Sequence, residues 1–233
     1  MGLCIVSVDR AEVACPEQAT LIRYAERVNI TFLRHGRSRA DDEGVHEGRY
    51  DSPLTNVGRE QAQLLARYWQ TNPPNFDQVV CSPLQRALET ARILGTALAL
   101  EPRIDSDWME FDNGPLAGLT REEALARYPI PAARGRFDAL TADGGESEAS
   151  FHRRASSALE RVVQGGGEHV LVVAHGGILN AALHELTRND RVRFAFGDTG
   201  FTTVAYHPPT ESLRVLGVNQ QPHLTSESHP LAR

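Results

Sequence analysis

Lysine is absent from the 233-residue chain, and arginine supplies all 24 basic residues. This absence excludes a Walker-A phosphate loop, pyridoxal phosphate chemistry and any mechanism that needs a lysine Schiff base. The 30 acidic residues give a net charge of −6, which argues against a nucleic-acid-binding surface, because such surfaces are normally basic. A small anionic ligand, held by a local cluster of arginines, fits this composition better than a polyanion does.

Cysteines and long apolar runs are also scarce. The three cysteines, Cys4, Cys15 and Cys81, are odd in number and lack the spacing of metal ligands, which favours a reducing, cytoplasmic location. No segment approaches the roughly 18 apolar residues of a membrane span, and the amino terminus is a poor match to a signal peptide. We therefore expect a cytoplasmic protein without a membrane partner, and the sequence leaves open whether two copies form a homodimer.

The pattern of apolar residues predicts strands that alternate with helices. The predicted strands are residues 29–33, 76–81, 98–104, 169–174, 201–207 and 213–218. The predicted helices include residues 148–164 and 178–186, and three others that begin at the capping residues Thr55, Ser82 and Thr120. Such alternation predicts an α/β fold, a three-layer sandwich whose central sheet is mainly parallel and carries helices on both faces.

Residues 29–218 are predicted to form a single domain. Residues 1–28 would precede it as an extension of unknown role, and residues 219–233 would follow it as a flexible tail. Within the domain, the polar segment 39–50 is expected to be a loop, and the segment 105–147 is expected to form a lid over a site. We expect these two segments to select the substrate.

The first predicted core strand ends in a cluster suited to an anion. Arg34 and Arg37 supply planar, permanently charged groups for phosphate oxygens. Gly36 lacks a Cβ, so a ligand can lie close to its backbone N–H, and Ser38 adds a hydroxyl donor. His35 is the one group here that can be a neutral nucleophile near pH 7. Taken alone, such a cluster is more often a solvated rim of charges.

The strand at 169–174 ends in a similar way, in His175-Gly176-Gly177. Because ligands bind at the carboxyl ends of parallel strands, the two histidines would meet in one pocket if their strands are neighbours. Arg86 would join them from the first turn of a helix, where backbone N–H groups also favour an anion. The alternative for Arg86 is an ion pair within its own helix.

These motifs, in this order, resemble the histidine phosphatase superfamily, which has the phosphoglycerate mutase-like fold. The resemblance is carried by Leu33-Arg34-His35-Gly36, residues 48–55 with Gly58, residues 82–87, Glu110 with Gly114 and Gly118, residues 144–147, and residues 174–177. Each motif occurs elsewhere by chance, but the complete ordered set does not. By resemblance, the chain is identified as a member of this family, on its phosphatase branch.

The resemblance implies a chemical role for five side chains. His35 would attack phosphorus as a neutral imidazole, with the proton of its other ring nitrogen held by a backbone carbonyl. Arg34, Arg86 and His175 would surround the phosphoryl oxygens. Glu110 would protonate the leaving oxygen and later activate the water that hydrolyses phosphohistidine. Such a site needs no metal and no other cofactor.

The substrate-binding residues that we expect around these groups are Gly36, Arg37, Ser38, Gly176 and Gly177. Two positions depart from the pattern of the family: Arg37 stands where Glu or Gln is common, and Asp41 where many members have Asn. Arg37 either binds a second anionic group of the substrate or pairs with the acids at 41–43. Trp108 and Phe111 either form an apolar wall for the substrate or pack in the core.

The family includes both phosphatases and mutases. A mutase needs extra cations around a second anionic group, but Phe111 follows Glu110 where mutases have a basic residue, and residues 129–147 offer only the separated Arg134 and Arg136. The predicted function is therefore metal-independent hydrolysis of a small phosphorylated metabolite through a phosphohistidine on His35. The alternatives are a 2,3-bisphosphoglycerate-dependent phosphoglycerate mutase and a catalytically silent relative that binds a phosphorylated ligand or a protein.

Overall fold

The computed structural model describes residues 27–129 and 144–224. Within these ranges the strands are β1 Val28–Arg34, β2 Gln78–Cys81, β3 Arg103–Ile104, β4 His169–Ala174, β5 Phe201–His207 and β6 Ser212–Gln220. The α-helices are α1 Arg39–Glu43, α2 Asn56–Thr71, α3 Gln85–Leu98, α4 Arg121–Arg127, α5 Glu148–Gln164 and α6 Gly176–Thr187. Short 3-10 helices lie at Ser106–Trp108, Gly114–Leu116 and Pro208–Thr210. No helix in the described ranges is long and apolar enough to cross a membrane.

Parts of three predicted segments lie outside the described residues. They are residues 1–26 of the extension, residues 130–143 of the lid with Arg134 and Arg136, and residues 225–233 of the tail. At the carboxyl end of the domain, β6 runs to Gln220, beyond the predicted boundary at residue 218. His223 is buried, and its Nε2 lies 2.7 Å from the hydroxyl oxygen of Thr199. The packed domain therefore continues past its predicted end.

The strands form one sheet in the order β3-β2-β4-β1-β5-β6. The neighbours β3, β2, β4 and β1 run parallel to one another. Strand β5 runs antiparallel to both of its neighbours, β1 and β6. In the β1–β4 pair, Arg34 lies opposite Ala174, so the residues that follow these two strands emerge side by side. The prediction of an α/β fold with a mainly parallel sheet is confirmed, and the two histidine-bearing strands are neighbours, which was the condition for their histidines to meet.

The alternation of side chains along β1 assigns the helices to the two faces of the sheet. Ile30 and Phe32 point to one face and pack in a buried cluster with residues of α5 and α6. Leu33 points to the other face and packs with residues of α2 and α3. Since both faces of β1 are buried, the strand reads as a continuous apolar run. The result is the predicted three-layer sandwich.

Two of the predicted helix caps are confirmed. Thr55 Oγ1 accepts the N–H of Gly58 at 3.0 Å, and Thr120 forms a capping box with Glu123. The prediction for Ser82 was wrong, because α3 begins at Gln85 and its N-cap residue makes no side-chain hydrogen bond. The Ser82 hydroxyl instead lies 2.9 Å from Nε2 of His175, so this residue belongs to the site.

The segment 39–50 was expected to be a loop, but part of it forms a helix. Ser38 and Asp41 form a reciprocal capping box that begins the short helix α1, since each satisfies a backbone N–H of the other. The third strand is also shorter than expected from 98–104. Helix α3 continues to Leu98 and ends at Ala99 in the left-handed conformation, which leaves only Arg103–Ile104 to pair with β2.

Candidate active site

The ends of β1 and β4 and the first turn of α3 bring three buried side chains together. The rings of His35 and His175, each 1% exposed, have centroids 5.0 Å apart. Arg86 is fully buried, and its Nε–H donates to Nε2 of His35 at 3.2 Å. The alternative ion pair of Arg86 within its own helix is not formed, because Glu89 pairs with Arg59 at 2.6 Å.

The hydrogen bonds of His35 fix its tautomer. Its Nδ1 lies 2.7 Å from the carbonyl oxygen of Gly36, and a carbonyl can only accept, so Nδ1 carries the proton. The remaining nitrogen, Nε2, accepts from Arg86 and therefore has its lone pair in the pocket. Burial, and then the charges of Arg86 and Arg34, lower the pKa of His35 well below its usual value. His35 is thus a neutral imidazole near pH 7, the form that a nucleophile needs.

His175 has one buried ring nitrogen without a hydrogen-bond partner among the described residues. This nitrogen is Nδ1, whereas Nε2 lies 2.9 Å from the hydroxyl of Ser82. Burial and the charge of Arg86 lower the pKa of His175, so one ring nitrogen carries a proton. When Ser82 donates to Nε2, the proton lies on Nδ1, where it can be donated to a ligand.

The guanidinium of Arg86 is anchored by a backbone segment that precedes α2. It donates to the carbonyls of Gly48 at 2.7 Å and Tyr50 at 3.1 Å. Its Nε also lies 3.1 Å from Oε1 of Glu47, a residue that the sequence analysis did not identify. Burial lowers the pKa of Arg86, and the carboxylates of Glu47 and Glu110 oppose that effect. The group remains a cation, because arginine does not deprotonate in proteins.

Arg34 is held by two carboxylates on the other side of the pocket. Its Nη2 lies 2.9 Å from Oδ1 of Asp41 and its Nη1 lies 3.0 Å from Oδ1 of Asp198. Asp198 was also missed from the sequence, because it precedes β5 and carries no motif. The neighbouring Arg37 points to Asp42, with Nε 2.5 Å from Oδ1. Of the two alternatives left open for Arg37, the structure shows the pairing with an acid.

The expected role of Gly36 needs correction. Its N–H donates to Thr90 Oγ1 at 3.2 Å, so it does not point to a ligand. A Cβ at this position would lie 2.4 Å from the carbonyl oxygen of Gly58, so the glycine is required for close packing against α2. The Ser38 hydroxyl does face the pocket, 2.5 Å from Oε1 of Glu47.

Glu110 lies at the amino terminus of α6, beside His175. Its carboxylate accepts the N–H of Gly177 at 2.7 Å and the N–H of Phe111 at 2.8 Å. Helix amino termini favour negative charge, which supports this position for a carboxylate. At Gly177 a Cβ would lie 2.4 Å from Oε1 of Glu110, whereas a Cβ on Gly176 would meet nothing within 4 Å.

The backbone around Glu110 is held in place from α5. Arg154 donates to the carbonyls of Asp107 at 2.8 Å, Met109 at 2.6 Å and Glu110 at 3.2 Å. Its guanidinium is in turn paired with Glu146, at 3.0 and 2.7 Å. Arg154 was not predicted as a site residue, because nothing in the sequence places it near the predicted acid. It is the group through which α5 positions Glu110.

The two aromatic residues beside Glu110 pack in the core. Trp108 is fully buried, with its ring centroid 6.2 Å from that of Phe32. Phe111 packs edge-to-face on Phe151 at 5.2 Å. Among the described residues, no cluster of three or more His, Cys, Asp or Glu side chains could hold a metal ion. The positive charges that act on His35 are those of Arg86 and Arg34.

Comparisons with known proteins agree with this geometry. The model of the histidine phosphatase superfamily (branch 1) matches residues 30–219. A bifunctional protein of Mycobacterium tuberculosis is 37% identical over 148 residues, which are 63% of this chain and 40% of that protein. The chain thus spans less than half the length of this relative.

Two further matches cover most of both chains. A glucosyl-3-phosphoglycerate phosphatase of Mycobacterium tuberculosis is 31% identical over 192 residues, 76% of this chain and 85% of the relative. The solved structure of a mycobacterial glucosyl-3-phosphoglycerate phosphatase has a TM-score of 0.68 and 28% identity, and covers 83% of this chain and 99% of its own. The predicted family is therefore confirmed, and the chain belongs to the histidine phosphatase superfamily.

Proposed function

We propose that the protein is a phosphoric monoester hydrolase that needs no metal and forms a phosphohistidine on His35. The observation that carries the proposal is the tautomer of His35, whose Nδ1–H is held by Gly36 while the lone pair of Nε2 faces Arg86. A neutral imidazole nitrogen among fixed cations is suited to attack phosphorus. Family membership and relatives named as phosphatases support hydrolysis.

In the first step, the lone pair of His35 Nε2 forms a bond to phosphorus as the bond to the leaving oxygen breaks. Glu110 gives its proton to that oxygen, so the product leaves as an alcohol. Arg34, Arg86 and the Nδ1–H of His175 stabilise the charge on the three equatorial oxygens. To accept the phosphoryl group, the Nε–H of Arg86 must turn from His35 to one of those oxygens.

In the second step, water attacks phosphorus from the side that the leaving group vacated. Glu110, now ionised, takes a proton from this water, and the bond between phosphorus and Nε2 breaks. Inorganic phosphate leaves, and both Glu110 and His35 return to their starting states. The two bonds that Glu110 accepts from Gly177 and Phe111 hold its carboxylate where both proton transfers need it.

The proposed substrate is a small phosphorylated metabolite. Two observations support this. The chain carries a net charge of −6, which fits a small anion better than a polyanion, and a relative is named for a small phosphorylated compound. The part of the substrate beyond the phosphoryl group would contact the segments 39–50 and 105–147, which bring Gly48 to Arg86 and Glu110 to Gly177.

The proposal is tested by phosphate release from a panel of phosphomonoesters, with EDTA present. Wild type should release phosphate, and His35→Ala should lower the rate by at least about 10³-fold, as loss of a nucleophile does. His207→Ala is the matched control, because His207 lies at the opposite end of the sheet, beyond Tyr206, which pairs with Val28 at the start of β1. Quenching in alkaline detergent should also trap a phosphoenzyme in wild type, stable in alkali and labile in acid as a phosphoramidate is.

A second assay follows the interconversion of phosphoglycerates with 2,3-bisphosphoglycerate present. Interconversion faster than release would replace hydrolysis with mutase activity as the function. Phosphate binding without either reaction would identify a catalytically silent relative. Full activity of the purified His35→Ala variant would refute the mechanism.

A further inference from the structure

Glu47 lies inside the anion site. Its side chain is 17% exposed, and its Oε1 lies 3.1 Å from Nε of Arg86 and 2.5 Å from Oγ of Ser38. Its other oxygen, Oε2, lies 3.8 Å from the nucleophilic Nε2 of His35. These are donors and distances that a phosphoryl oxygen would use. The Glu47 carboxyl group therefore occupies contacts that the substrate's phosphoryl group needs.

Hydrogen-bond counting at Ser38 shows that a proton is missing when all nearby carboxyl groups are ionised. The hydroxyl oxygen lies 2.5 Å from Glu47 Oε1 and 2.9 Å from Asp41 Oδ2, but a serine has one proton to donate. It also accepts the N–H of Asp41 at 3.2 Å. A proton on Glu47 satisfies the whole set, because Glu47 then donates to Ser38 and Ser38 donates to Asp41.

The charges that face the pocket lead to the same conclusion. Arg34 and Arg86 are the cations, whereas Glu47, Asp41 and Asp198 supply three carboxylates within contact distance of them. An incoming phosphate would bring further negative charge close to these three carboxylates. Neutralising one carboxylate removes most of this repulsion, and Glu47 is the carboxylate that lies nearest to His35.

We propose that Glu47 is a further binding residue of the anion site and that it acts as a carboxylic acid. Phosphoryl binding is accompanied by uptake of one proton from solvent onto Glu47, which then donates to Ser38 and no longer carries the negative charge that would repel the ligand. The inference rests on the proposed function, since it assumes that the site binds a phosphoryl group. It adds that binding is strongest on the acidic side of neutrality.

Two observations support stronger phosphoryl binding on the acidic side of neutrality. Burial raises the pKa of Glu47, although Arg86 and Ser38 act against the effect. The pKa of His35 is lowered well below its usual value, so the nucleophile stays neutral at a moderately acidic pH. The groups facing Glu47 are His35 at the end of β1, Ser38 and Asp41 at α1, and Arg86 on α3, with Arg34 farther away.

The test compares phosphate binding by wild type, Glu47→Gln and Glu43→Gln from pH 5 to 9, by calorimetry at constant ionic strength. Glu43→Gln is the matched control, because it removes the same charge from an exposed residue that pairs with Arg39. The wild-type Kd divided by the Glu47→Gln Kd cancels the titration of phosphate itself. We expect this ratio to rise about tenfold per pH unit above the pKa of Glu47, and Glu43→Gln to follow wild type.

Repeating the calorimetry in buffers of different ionisation enthalpy counts the protons. Wild type should take up about one more proton than Glu47→Gln above the pKa of Glu47. Glu47→Ala, which also lacks the acid, should show the same loss of proton uptake and guards against an effect peculiar to glutamine. A constant ratio, or equal proton uptake, overturns the inference while the proposed function stands. Absence of phosphate binding by wild type at every pH overturns both.

Discussion

Substitution of Gly177 by alanine is expected to displace the carboxylate of Glu110 while leaving the fold intact. The new Cβ would lie 2.4 Å from Oε1 of Glu110, and ordinary contact begins at 3.4 Å, so the carboxylate has to move. A displacement of about 1 Å at a catalytic group lowers the rate about 100-fold, which corresponds to about 2.7 kcal/mol in the activation barrier.

Stability should not fall with activity in this variant. Gly177 lies in α6, where alanine is favoured over glycine by about 0.5–1 kcal/mol. The obstacle that the methyl group meets is the end of a flexible side chain, not the backbone. Urea unfolding of Gly177→Ala should therefore give a free energy equal to that of wild type or slightly above it.

The assay compares two substrates that differ in their need for an acid. Alkyl phosphates have poor leaving groups that must be protonated, whereas aryl phosphates depart with little help. We expect kcat/KM to fall about 100-fold on the alkyl substrate and much less on the aryl one, with the same pattern for Glu110→Gln. In a Glu110→Ala background the methyl group has no carboxylate to displace, so Gly177→Ala should add nothing. Equal losses on both substrates, or a full additional loss in that background, would refute the reasoning.

Two further predictions concern residues outside the pocket. Arg154→Ala should lower kcat at least about tenfold with little change in KM. It should also lower the free energy of unfolding by about 3 kcal/mol, because Glu146 and three carbonyls lose their partner. Kinetics and urea unfolding check this against the exposed control Arg153→Ala, and an unchanged kcat would contradict it. Cys81 should resist iodoacetamide at pH 8 in the folded protein, since burial raises its pKa to about 11, and peptide mapping that finds rapid alkylation before unfolding would show this to be wrong.

The residues that could be found from the sequence are those at the ends of regular elements. His35 and His175 follow apolar strands, and Arg86 lies in the first turn of a helix. Because the carboxyl ends of neighbouring parallel strands meet at one edge, the two histidines were predicted to share a pocket if their strands are neighbours, and the pairing of β1 with β4 meets that condition. The structure places their rings 5.0 Å apart, although the catalytic roles assigned to them stay predictions.

The residues that could not be found depend on contacts between distant segments. Asp198 reaches Arg34 from the turn before β5, and Arg154 reaches the Glu110 loop from a helix face that looks solvent-exposed by its charge. Glu47 lies in a polar segment that the sequence analysis expected to be a loop, with no periodicity to orient it. No pattern in the segment indicates which acid faces the pocket, because that depends on how the segment folds over α3.

The path of the segment that contains Glu47 is set by its close approach to the backbone of the Glu110 loop. Gly48 has φ of +46°, and a Cβ there would lie 2.4 Å from the carbonyl oxygen of Phe111, so only glycine lets this segment touch the Glu110 loop. The same segment supplies the carbonyl of Gly48 to Arg86 and the carboxyl group of Glu47 beside it. The contact at Gly48 thus places Glu47 and the carbonyl that anchors Arg86 next to each other.

Phosphate binding in such a pocket is an exchange of anions. Arg86 already contacts Glu47, and Arg34 already contacts Asp41 and Asp198, so neither guanidinium is left as an uncompensated buried charge, which would be strongly destabilising. A phosphoryl group must therefore offer the arginines more than their present carboxylates do. Protonation of Glu47 weakens its hold on Arg86 and frees that guanidinium for the ligand, and this links the stability of the pocket before binding to its affinity afterwards.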